Sequence, residues 1–81
     1  MKLFLVVYDR SLGRLLSLDE YDEEGRADAL RRRAQLEMER REQAEVEVVV
    51  LAAESLAALK KTHSRYFETL TEKMSSPASV G

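Results

Sequence analysis

The chain has no cysteine, a single histidine and a single proline among its 81 residues. Without cysteine there is no disulfide and no thiolate metal site. His63 stands alone, with no C-x-x-C or H-E-x-x-H spacing to join, so no zinc site can be assembled around it. The sequence also lacks a surplus of either charge, 13 basic residues against 15 acidic giving a net charge of −2. Such a balance supplies no global field for nucleic acid or an acidic membrane, which leaves protein as the expected partner. No long apolar run is present either. The longest near the start follows Lys2 and is too short for the core of a signal peptide or for a bilayer span, so a cytoplasmic protein without a membrane partner is expected. Missing too are a G-x-G-x-x-G turn, a Walker loop, a nucleophile elbow and any carboxylate pair with a reason to differ in pKa. The expectation is a protein that is not an enzyme and needs no cofactor.

What is present is enough for one small domain. A chain of this length buries roughly 60% of the surface exposed by its unfolded form, so a second chain is the natural source of added stability. Nine arginines against four lysines suggest a GC-rich bacterial or phage genome.

The chain is organised around Lys2 to Tyr8, KLFLVVY, which reads as a central strand. Leu3, Leu5 and Val7 point to one face and Phe4, Val6 and Tyr8 to the other, and a strand apolar on both faces needs cover on both. Asp9 to Gly13 has the residues of a hairpin loop. Arg14 to Tyr21 returns as an edge strand, with Leu16 and Leu18 on one face and Leu15 and Ser17 on the other. A helix follows from about Asp22 to Arg41, its acidic start and basic end matching the helix dipole. Its apolar stripe is Ala27, Leu30, Ala34 and Met38, expected to face the sheet, with Ala29 and Leu36 opposite.

Glu45 to Leu51 is the third strand, Val46, Val48 and Val50 lying on one face and Val49 and Leu51 on the other. A second helix, capped by Glu54 or Ser55, carries Leu56, Leu59, His63, Tyr66, Phe67 and Leu70 at helical spacing. The expected fold is α+β, ββαβα, with two helices and a three-stranded mixed sheet of order 2-1-3, strand three antiparallel to strand one and the outer strands parallel to each other. Residues 1–73 form the single domain, and 74–81, small and polar, form a disordered tail.

Three groups of residues are functional candidates. If both helices pack on one face, Phe4, Val6, Tyr8, Val49 and Leu51 or their alternates remain as an apolar patch, which a two-fold homodimer would cover with Tyr66, Phe67 and Leu70 in or beside its interface. The primary expectation is therefore a self-associating protein-interaction module. His63, Arg65 and Tyr66 could form a ligand-binding or catalytic group, although a histidine packed in the helix stripe and bonded to a backbone carbonyl explains His63 as well. Arg31, Arg32, Arg33, Arg40 and Arg41 could contact phosphates in a nucleic-acid-binding or toxin-antitoxin-type regulator. Acids at four-residue spacing, such as Glu37 after Arg33, would pair the same arginines along a solvated face.

Overall fold

A computed structural model describes residues 1–67. Strand β1 (Lys2–Asp9) lies between β2 (Arg14–Tyr21) and β3 (Val46–Ala53). The architecture is α+β and the order is β2-β1-β3, as expected. Both ladders are antiparallel, so the sheet is antiparallel throughout rather than mixed. β2 and β3 run in the same direction but share no ladder.

The hairpin turn is built by its own side chains. Asp9 Oδ1 accepts from the Ser11 amide at 2.9 Å, the Ser11 hydroxyl at 2.7 Å and the Leu12 amide at 3.1 Å, and Gly13 takes a φ of 62°, a conformation open to glycine because it has no Cβ. Past the turn, Val7 pairs with Ser17 and Tyr8 with Leu15. Leu16 is therefore the extra residue of a bulge. The bulge overturns the expected alternation of β2, since Leu15 and Leu18 now pack against the same core while Leu16 faces solvent.

Each face of β1 has its own helix. On one, Leu5 and Val7 pack with Val48 and with Leu36 of α1 (Arg26–Glu39), a helix preceded by the 3-10 turn Glu23–Gly25. The face that α1 presents is not the expected one. Its buried residues are Ala29 and Leu36, while Leu30 and Met38 are 45% and 70% exposed and Ala27 and Ala34 are exposed with them. The fully buried Ala29 lets the helix axis come close to the sheet. The next most sheltered residues, Arg33 and Arg40, share its face by spacing, and the aliphatic stems of such residues can cover apolar surface in place of leucine.

On the other face, Phe4, Val6 and Tyr8 pack with Ala53, Leu59 and Tyr66. Leu59 belongs to α2 (Leu56–Thr62), whose N-cap Ser55 accepts from the Ala58 amide through its hydroxyl. The expected long second helix stops at His63, which has left helical geometry, and a 3-10 turn, η2 (Ser64–Phe67), follows. Thr62 turns its hydroxyl back onto the carbonyls of Ala58 and Leu59, a local bond that weakens the continuation of a helix. The second helix thus crosses to the face opposite α1. Leu70 and the tail 74–81 lie outside the described residues. No helix among the described residues is long and apolar enough to cross a membrane.

Candidate functional site

The residues expected to form an open interface patch are mostly interior. Phe4, Val6, Tyr8 and Tyr66 are buried, and Val49, Leu51 and Phe67 are half-buried against the same cluster. The cover expected from a second chain comes from α2 and η2 of this one.

The expected His63, Arg65 and Tyr66 group is rearranged by the helix break. Released from helical spacing, Arg65 turns toward β3 and meets Glu47. Its Nη2 donates to both Glu47 oxygens, at 3.1 and 3.0 Å, and to the Tyr66 hydroxyl oxygen at 2.7 Å, while that hydroxyl donates to Glu47 Oε2 at 2.5 Å. The guanidinium lies 4.2 Å from the Tyr66 ring centroid, and Tyr66 meets Tyr8 edge to face at 5.2 Å. Burial alone would raise the pKa of Glu47. The hydrogen bonds from Tyr66 and Arg65, with the charges of Arg65 and Arg10, outweigh it and hold the carboxyl below its ordinary value. Burial and the bond to Glu47 push the Tyr66 phenol upward, and the bond to Glu47 raises Arg65 as well.

The three groups use one another's capacity, and a ligand would have to break these bonds to reach them. His63 stays beside the cluster, its ring 6.3 Å from that of Tyr66 and its backbone amide donating to the Leu59 carbonyl. No hydrogen bond of its ring is found among the described residues. Glu47 is the member that spacing rules missed. A lone charge inside a run of valines, directly across the ladder from Tyr8, was the available signal, because such a charge needs a partner.

The cluster fastens η2 to β3, and its pH dependence follows in sign. A carboxyl with a folded-state pKa below its ordinary value of 4.5 contributes stability that is present above that value and lost as pH falls through the folded one. Glu47→Gln should cost about 1 to 2 kcal/mol near neutrality, and the difference from the unaltered chain should shrink as pH is lowered toward 3. Urea midpoints of the two chains at both pH values test this, and a difference that grows in acid would contradict it.

The helix-one arginines are largely matched along α1. Arg31 meets Asp28 at 2.8 Å, Arg33 meets Glu37 at 3.5 Å and Arg32 meets Glu39 at 3.9 Å. Arg40 donates to the Gln43 side chain at 3.0 Å. Among the described residues no group of three acidic or histidine side chains has the geometry to hold a metal.

The two sheet edges differ. β2 carries the bulge at Leu16 and the charges of Arg14, Asp19 and Glu20, the last paired with Lys2 at 2.8 Å; bulges and charges are the usual guards of a free edge. β3 pairs with β1 in unbroken register over eight residues and carries one charge, Glu47. The Arg10 amide donates to the Glu45 carbonyl, which sets the phase of the ladder. Antiparallel bonding alternates, so odd-numbered residues of β3 bond to β1 and the amides and carbonyls of Val48, Val50 and Ala52 face outward. At Val46 the outward amide is taken by the Gln43 carbonyl. A cleft of about 200 Å³ lined by Glu37, Arg40, Arg41, Gln43, Ala44, Val46 and Val48 lies beside that end.

Comparison with protein-family models, curated proteins and solved structures found no match.

Proposed function

We propose that the chain is a protein-interaction module that receives an extended segment of a partner on the edge of β3 that no strand among the described residues pairs with. The observation that carries this reading is the asymmetry of the sheet, with one edge guarded by a bulge and charges and the other a smooth apolar strand with outward backbone groups at Val48, Val50 and Ala52. Main-chain hydrogen bonds supply affinity in such strand addition, and alternate side chains of the added strand supply specificity. Arg31, Arg32 and Arg33 would each first have to leave an acid, which makes phosphate binding the weaker reading. We place the module in the cytoplasm of a bacterium or phage host, on the strength of its arginine-rich, cysteine-free composition.

The test is a titration of isotope-labelled protein with a capped, soluble peptide of alternating valine and threonine, followed by amide spectra. Shifts concentrated at Val48, Val50 and Ala52 are expected. Shifts confined to β2, or none from a chain that is monomeric under the conditions of the titration, would reject the edge as a binding site.

A further inference from the structure

We infer that the partner strand is β3 of a second copy, paired antiparallel about a two-fold axis at Val50. This rests on the strand-accepting reading of the β3 edge and names its occupant. With Val46 already bonded to Gln43, the open stretch runs from Glu47 to Ala53, and Val50 is its midpoint. In that register Val50 faces Val50 and Val48 faces Ala52 of the other copy, all with outward backbone groups, so the bonds of a regular antiparallel ladder can form. The two Glu47 carboxylates fall at opposite ends.

Helix α1 fits the same axis. Glu37 lines the cleft beside Val46 and Val48, which identifies the flank of α1 that overlooks the β3 edge. At 100° per residue Leu30, Ala34 and Glu37 form one row on that flank. Its apolar half, Leu30 and Ala34, is part of the stripe left exposed in the single chain. Leu36 shares a cluster with Val48, and Arg40 shares a cleft with Val46, so α1 runs opposite to β3. Moving from Val48 to Val50, about 7 Å, corresponds to roughly four residues back along α1, which places Leu30 and Ala34 level with Val50.

A two-fold axis there keeps both α1 helices on one face of a six-stranded sheet. Each touches both β1 and β3, so their axes would lie roughly 10 Å apart, a separation at which helices pack. The charges agree as well. Beyond the last pair, Glu54 of the second copy comes beside Val46, at the cleft holding Arg40 and Arg41. No ion pair of Glu54 or Arg41 occurs among the described residues. Within one chain Glu54 lies past the far end of β3 from the cleft that Arg41 lines with Val46, about 26 Å from Val46 at the rise of a strand, so a second copy is needed to join them.

Sedimentation equilibrium of the intact chain and its variants provides the test. The unaltered chain should dimerise at micromolar concentration. Leu30→Glu, at an exposed position, and Val50→Pro, which removes an amide that faces away from β1, should each raise the dissociation constant at least tenfold while leaving circular dichroism unchanged. Arg41→Glu and Glu54→Arg should each weaken the dimer, and the two together in one chain should restore it. A chain that remains monomeric at about 0.5 mM overturns the pairing. Peptide shifts at Val48, Val50 and Ala52 would then preserve the strand-accepting reading, and their absence would remove both. A dimer indifferent to Leu30→Glu and to the charge exchange also overturns the pairing, because it must use another surface.

Discussion

Val6→Asp is expected to remove roughly 3.5 to 6.5 kcal/mol of stability, half or more of what a chain of this size usually has. Val6 has no exposed surface, lies across the ladders from Leu18 and Val49, and packs in the cluster that includes Phe4, Tyr8 and Leu59. A carboxylate there meets no cation among the buried residues, and burying it or its protonated form without hydrogen bonds costs roughly 2 to 5 kcal/mol. The lost valine burial adds about 1.5 kcal/mol. Stabilities of roughly 0.05 to 0.15 kcal/mol per residue give a chain of this size about 4 to 12 kcal/mol in all. Far-UV circular dichroism and amide dispersion would report the loss. A variant that keeps a nearly unaltered denaturation midpoint would mean that Val6 is not in the centre of the sheet.

Leu59→Ala should have the next largest effect, lowering stability by about 2 to 5 kcal/mol. Leu59 is the one fully buried residue of a seven-residue helix, and a helix that short does not persist in water without tertiary packing. Truncating the anchor leaves a cavity over Phe4, Val6 and Tyr8 and frees α2 to detach. The variant should therefore bind a hydrophobic dye and aggregate as its concentration rises, alongside its lower urea midpoint. A loss under about 0.5 kcal/mol would mean that α2 is not the cover of that face.

The sheet was legible in the sequence because its signals are local and strong. Lys2 to Tyr8 has apolar residues on both faces, Asp9 and Gly13 make a turn by known chemistry, and the valines of β3 alternate as expected. The helices were less legible for identifiable reasons. On α1 spacing by three and four selected Ala27, Leu30, Ala34 and Met38, whereas a fully buried alanine and Leu36, seven residues apart, make the contact. Arg33 is carried onto that face, its buried Nε 3.5 Å from Glu37 and without a hydrogen bond among the described residues. On α2 the apolar spacing continues past the true end of the helix. Thr62, His63 and Ser64 are weak helix formers, the Thr62 hydroxyl bonds the carbonyls of Ala58 and Leu59, and the three interrupt the helix where the apolar pattern does not. The Glu47, Arg65 and Tyr66 cluster depends on that interruption. The β3 edge is invisible to periodicity altogether, since it is a property of strand order and ladder phase.

The position of β1 has a further consequence, for biosynthesis. The strand at the centre of the sheet precedes both of its partners in the chain. Its pairs with β2 join residues as near as Asp9 and Arg14, so the hairpin can close within microseconds of emerging. Its pairs with β3 reach from Asp9 to Val46 and from Lys2 to Ala53. At elongation rates of about 5 to 20 residues per second, several seconds separate the appearance of β1 from that of β3. During that interval the nascent chain displays Phe4, Val6 and Tyr8 on one side and Leu5 and Val7 on the other, with one edge of β1 open. Ribosome-associated chaperones that recognise short apolar segments should find their strongest binding site there, and release should follow the arrival of β3.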